Sequence, residues 1–144
     1  MARVELNLPE NTHFTHRIDV RTTDLNAGGH VGNDQMISLV SESRYRFLLH
    51  LGIDELSLSP PNIIVTDLAI RYLSESFVQD TLLFNIGITD VNKYGADIFF
   101  HIQKADSNVA VAKAKQGFVF FDYQQRRVQP IPERFQHLFT STTA

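Results

Sequence analysis

Three glycines within five positions, Gly28, Gly29 and Gly32, separate a strand-like stretch from the chain's one long helical stretch. Such a run cannot be regular structure, because glycine reaches dihedral angles that other residues avoid and lets another group approach the main chain closely. Before it, Phe14, His16, Ile18 and Val20 alternate with Thr15, Arg17, Asp19 and Arg21, the period expected of a strand from His13 to Thr23. After it, Asp34 to Leu51 has helical periodicity. Met36, Val40, Phe47 and Leu51, with Ile37 and Leu48 beside them, form one broad apolar stripe. Asn33 or Asp34 is the expected cap, and Gly52 the expected stop. The opposite side carries Ser38, Glu42, Tyr45 and Leu49, a mixed face suited to meeting a second subunit.

Beyond Pro60-Pro61 the chain reads as strands. Ile63 to Leu73 is rich in β-branched and apolar residues, and Asp80 to Val91 places Leu82, Phe84, Ile86 and Ile88 on one side. Ile98, Phe100 and Ile102 repeat that pattern after a hairpin turn at Asn92 to Gly95. Val109 to Tyr123 is the longest expected strand, and its small residues Ala110, Ala112 and Ala114 would let a helix lie close. Pro130 to Phe139 is expected to end as a short helix with Pro132 at its start. One long helix and five hairpin-joined strands give an α+β fold, a helix against an antiparallel sheet. Such a unit leaves a face and edges uncovered, so it is expected to form a homodimer, joining sheets edge to edge or packing helix faces together.

The 144 residues suit one domain over 1–144. With 13 Lys+Arg against 16 Asp+Glu the net charge is −3, and no basic stripe offers itself to nucleic acid or to a membrane surface. No apolar run approaches the roughly 20 residues of a membrane span. Met1 to Glu10 lacks the charged-then-apolar pattern of a signal peptide, so a cytoplasmic address is expected. The chain has no Cys, which excludes disulfides, thiolate zinc sites and Cys nucleophiles. The histidines show no metal spacing, and neither a metal nor a cofactor is expected. The glycine run lacks the Lys-Ser/Thr of a Walker loop and does not fit G-x-G-x-x-G.

The run Asp24-Leu25-Asn26-Ala27-Gly28-Gly29-His30-Val31-Gly32-Asn33, followed by Ser41-Glu42-Ser43-Arg44-Tyr45-Arg46-Phe47-Leu48, resembles the hotdog-fold acyl-CoA thioesterases. It is most similar to their 4-hydroxybenzoyl-CoA thioesterase-like subgroup, whose signature reads D-x-D-x-x-G-H-V-x-N and then an E-x-[AS]-R helix. Ile70-Arg71-Tyr72 and Phe77-Val78-Gln79-Asp80-Thr81-Leu82 resemble that family's second and third strands, so the likeness runs from residue 13 to residue 123. It implies a hotdog fold, a long central helix wrapped by a five-stranded antiparallel sheet, paired into dimers and often tetramers. It also implies hydrolysis of an acyl thioester of CoA or of acyl carrier protein, at a dimer interface near the helix N-terminus. The signature's second Asp, which usually acts as nucleophile or general base, is Asn26 here. An amide has no ionisable oxygen and cannot deprotonate water.

The two halves of thioester hydrolysis therefore read differently. Backbone N–H groups from Gly29 to Asn33, at the start of a glycine-preceded helix, suit the thioester oxygen, and losing one such donor costs about 2.7–4 kcal/mol in the transition state. Gly28, Gly29, Val31, Gly32 and Asn33 are the expected substrate-binding positions. Asn26 could orient water but not take its proton. Four residues could: His30, Asp24, Glu42 and Asp67. Neutral His30 is a competent base near pH 7. Asp67 interrupts an apolar strand, and burial would raise its pKa toward useful basicity. Each has a plainer role open to it. His30 could be a packed, hydrogen-bonded ring, Asp24 could cap the loop, Glu42 could pair with Arg46, and Asp67 could pair with Arg71 or sit at a wet edge. Lys113 and Lys115 could meet CoA phosphates or simply line a solvated face. The expected activity is thioester hydrolysis; the alternative is a binding protein that kept the pocket and lost the base.

Overall fold

The alternation of Leu82, Phe84, Ile86 and Ile88 builds an inner strand, because a period of two puts all four on one side of a pleated chain; all are 0% exposed. In the computed structural model, which describes residues 3–57 and 59–142, β1 (Phe14–Asp19) leads through a 3-10 turn, Thr22–Asp24, and the glycine loop into α1 (Asn33–His50). β2 (Asn62–Tyr72), β3 (Thr81–Thr89), β4 (Gly95–Lys104), β5 (Ala110–Asp122), β6 (Arg127–Gln129) and α2 (Glu133–Thr142) follow. The outermost residues of the domain expected over 1–144 lie outside the described residues.

The strands pair in the order β1-β3-β4-β5-β2, all antiparallel, and β6 pairs the end of β5. The five expected strands are present, with a three-residue sixth that carries too little pattern to be seen in the sequence. α1 takes the chain from β1 at one edge to β2 at the other. Its 18 residues extend about 27 Å against about 19 Å across five strands, so one helix can cross the whole sheet. The ring of Phe47 lies 5.7 Å from that of Phe14 on β1, and Arg44 reaches Gln116 on β5.

Crossing a twisted sheet buries a wider arc of helix than the expected stripe. Leu39 and Ser43 join Met36, Val40, Phe47 and Leu48 in the interior, while Ile37 and Leu51 stay half-buried. Ala112 and Ala114 face the core as expected, whereas Ala110 is exposed at the strand's start. Each fully buried Phe, Leu or Ile contributes about 1.5–3 kcal/mol. The helix begins one residue earlier than its expected caps: Asn33 is already helical and Gly32 is the cap. Gly52, at φ 92°, ends it.

The face opposite α1 is partly covered. Phe99 is fully buried there, set edge-on to His101, whose Nε2 hydrogen-bonds the Pro9 carbonyl at 2.7 Å. β2 is an edge strand, irregular between Val65 and Asp67, and exposes Ile64, Val65 and Leu68. Among the described residues no helix is long and apolar enough to cross a membrane.

Candidate active site

The glycine loop closes on itself before it meets α1. Asn26 donates its N–H to the His30 carbonyl at 2.8 Å, its carbonyl accepts from Gly29 at 3.0 Å, and its side-chain Oδ1 accepts from Gly28 at 2.9 Å. Asn side chains commonly mimic a backbone turn in this way. Gly29 sits at φ 81°, a conformation that favours glycine. Val31 donates to the Ser76 carbonyl at 2.8 Å and Gly32 to the Asp24 carbonyl at 3.2 Å, so the loop is tied both to its own start and to the β2–β3 connection.

Those bonds occupy part of the donor set expected from Gly29 to Asn33. Of the five N–H groups from Gly29 to Asn33, three already have partners within the chain, as buried and semi-buried backbone groups usually do. The helical ladder opens with Met36 donating to Gly32, so the N–H groups of Asn33, Asp34 and Gln35 precede it. Gly32 brings no capping side chain to them. A Cβ at that position would stand 2.8 Å from Asp34 Oδ1.

Beside this turn lies a cavity of about 270 Å³. His30, Val31, Asn33 and Met36 form one wall; Tyr72 to Ser76, from the end of β2 onward, form the other. The Tyr72 hydroxyl donates to the Asn33 carbonyl at 2.7 Å, joining the two walls. Burial and then the charge of Asp34 push the Tyr72 phenol above its ordinary value, so it stays a donor. Ser76 is 2% exposed, and its hydroxyl has no hydrogen-bond partner among the described residues. His30 Nδ1 lies 3.1 Å from the Val31 carbonyl, which can only accept, so the neutral ring carries its proton on Nδ1 and offers Nε2 as an acceptor. Nε2 is 4.0 Å from Glu75 Oε1.

Of the residues singled out in the sequence, His30, Val31 and Asn33 line the cavity. Asn26, Gly28 and Gly29 shape the exposed turn behind it. Asp24 is buried, with Arg21 donating to its carboxylate from the main chain at 2.8 Å and from the guanidinium at 3.0 and 3.2 Å. Burial alone would raise that carboxyl, but the bonds and charge of Arg21 outweigh it and hold the group below the usual range. So placed, Asp24 fastens the start of the loop. Glu42 accepts from Arg46 Nε at 2.7 Å on the outer face of α1. Asp67 takes the plainer of its two expected roles: it is exposed and not a buried base, because the apolar strand it interrupts is an edge strand with a wet side. Lys115 pairs with Asp97 at 3.4 Å.

Tyr72, Glu75 and Ser76 were not legible as site residues. They lie forty or more positions beyond Gly32, and only the return of β2 alongside the start of α1 brings them there. Arg44 serves the architecture instead. Its guanidinium grips both Glu55 oxygens at 3.0 and 3.1 Å and Gln116 at 3.0 Å, which ties the middle of α1 to the following loop and to β5. Among the described residues no three His, Asp or Glu side chains gather as a metal site.

A family model described as the thioesterase-like superfamily matches residues 20–139. Among solved structures, the chain is similar to a predicted thioesterase from Bacillus stearothermophilus, at 19% identity and a TM-score of 0.80, over 91% of this chain and 96% of that one. It is also similar to a 1,4-dihydroxy-2-naphthoyl-CoA thioesterase from Synechocystis, at 21% identity and a TM-score of 0.79, over 88% and 95%. A thioesterase from Thermus thermophilus complexed with coenzyme A and Zn matches at 20% identity and a TM-score of 0.77, over 88% and 97%. No curated protein matches.

Proposed function

Because the chain belongs to the thioesterase-like superfamily, we propose that it hydrolyses a small acyl thioester, with CoA as the thiol, in the cavity between the start of α1 and the end of β2. The observation that carries this reading is the juxtaposition of an uncapped helix N-terminus with the acceptor nitrogen of His30 in that one cavity. The volume of about 270 Å³ suits an acyl group, since whole drug-sized ligands occupy about 300–1,000 Å³, and the pantetheine arm would lie outside.

The chemistry follows from the donors. A thioester oxygen aimed at the N–H groups of Asn33, Asp34 and Gln35 meets fixed dipoles that strengthen as it becomes an oxyanion. His30 Nε2 accepts a proton as water attacks the carbonyl carbon. When the tetrahedral intermediate collapses, the C–S bond breaks and the imidazolium returns that proton to the leaving sulfur. The products are one carboxylic acid and one thiol. In this reading two copies of the chain pair, and the exposed apolar residues Ile64, Val65 and Leu68 on the β2 edge support that assembly.

Thiol release from a panel of short, branched and aromatic acyl-CoA esters tests the reading, alongside sedimentation velocity for the assembly. Turnover above background that falls about 100-fold or more in His30→Gln is expected. A second reading, a thioester-binding protein without turnover, is favoured by the engagement of Asn26 in the Gly28 turn. Saturable binding of the same esters with no thiol released by the wild-type chain would select it.

A further inference from the structure

Building on the hydrolytic reading, we infer that Glu75 is a catalytic residue, sharing with His30 the grip on the attacking water. The two groups stand 4.0 Å apart, too far for a direct hydrogen bond, which for these atoms falls at about 2.7–3.2 Å. A polar separation of this size is the span one water bridges. An oxygen about 2.8 Å from each group subtends an angle near 90° between them, close to the angle between the two O–H bonds of water. Both partners are acceptors: His30 has its Nδ1 proton committed to the Val31 carbonyl, and Glu75 is a carboxylate. A water held there donates both hydrogens to protein and turns its lone pairs outward. The cavity bounded by the start of α1 is lined by both residues, so a water held between them borders the space where the thioester carbonyl would sit.

The division of labour follows from basicity and position. His30 Nε2 takes the proton, and the Glu75 carboxylate stabilises the imidazolium that forms. The balance is unchanged: water adds to the carbonyl carbon, its proton passes to Nε2, the C–S bond breaks, and the proton leaves with sulfur. The carboxylate that hotdog thioesterases usually place on the loop, where this chain has Asn26, is supplied instead by the segment following β2.

The test compares wild-type, Glu75→Gln, His30→Gln and the double variant on the acyl-CoA ester that the wild-type chain cleaves fastest. Glu75 is 65% exposed on its side chain, so its substitution leaves the fold standing. Glu75→Gln is expected to lower kcat about 10- to 100-fold with KM within about threefold, and His30→Gln to lower it by about 100-fold or more. The double variant should fall no further than His30→Gln, because the two act on one water. A Glu75→Gln enzyme with unchanged kcat, a change in KM alone, or multiplicative losses in the double variant would each overturn the assignment while leaving the hydrolytic reading intact. A wild-type chain that cleaves no ester would overturn both.

Discussion

Asn26 Oδ1 holds the Gly28 N–H at 2.9 Å, so this side chain is the hinge pin of its own turn. An aspartate can accept the same bond. Asn26→Asp should therefore keep its thermal midpoint within a few degrees while adding an ionisable carboxylate to the glycine turn. Asn26→Ala, which loses the bond, should destabilise the chain by about 0.5–1.5 kcal/mol. Paired melting curves and thiol-release rates check this. A large loss of stability in the Asp variant would show that the amide nitrogen, and not Oδ1, secures the turn.

The bond network around Asp24 predicts how the protein responds to acid. Arg21 holds the folded-state pKa below the unfolded value, so folding is favoured at pH above the ordinary carboxyl range. That contribution is lost as pH falls through the depressed folded-state pKa. His16 acts in the same direction, since burial lowers its pKa against the opposing charge of Glu42 and folding is penalised as pH drops below about 6.5. Denaturant midpoints should decline in two stages on acidification. Asp24→Asn should lower stability at pH 7 and remove the lower stage.

Legibility followed periodicity. β3 and α1 were readable because Leu82, Phe84, Ile86 and Ile88, and Met36, Val40 and Phe47, repeat with the period of the element they form. Asp67 stayed open to two readings because an apolar run reads alike in a buried strand and in an edge strand that hides one side. Ser43 and Leu39 were missed because the arc buried by a helix depends on the sheet it crosses. At the site, His30 and Asn33 carry a motif, while Tyr72, Glu75 and Ser76 acquire meaning only through the antiparallel return of β2. The tether from Arg44 to Glu55 lay within a recognised motif, yet its partner eleven residues away had no signal of its own.

Arg44 and Glu55 form a two-pronged pair whose side chains are only 14% and 15% exposed. Removing one partner leaves the other largely buried and uncompensated. Glu55→Ala should cost about 1.5–3 kcal/mol, and Arg44→Lys should recover little of an Arg44→Ala loss, because a single ammonium cannot span both carboxylate oxygens and Gln116. A double-mutant cycle in urea measures the coupling.

Asp97 behaves oppositely to Asp24. Burial raises its pKa, Lys115 only partly offsets this, and the charges of Asp90 and Asp67 raise it further. A raised carboxyl stabilises the fold fully below its unfolded value, and this contribution is lost as pH climbs through the folded one. Asp97→Asn should therefore raise the melting temperature at pH 7, and the advantage should shrink as pH approaches 4. An unchanged advantage at low pH would mean that packing, not charge, sets the difference.

Ser76 ties stability to function most directly. Its hydroxyl is buried beside the cavity with no partner among the described residues, and an unsatisfied buried hydroxyl costs about 1–3 kcal/mol. Were the group merely a leftover of folding, Ser76→Ala would stabilise the chain and leave turnover alone. Were it kept to bond a bound thioester or its water, the same substitution would stabilise the empty protein and weaken the reaction at once. We expect the second outcome: a higher melting temperature without ligand, and a fall in kcat/KM of about tenfold, the equivalent of one modest hydrogen bond. Because the Val31 N–H bonds the Ser76 main-chain carbonyl, which the substitution retains, the loop should keep its place. A stabilised variant with undiminished kcat/KM would remove Ser76 from the site.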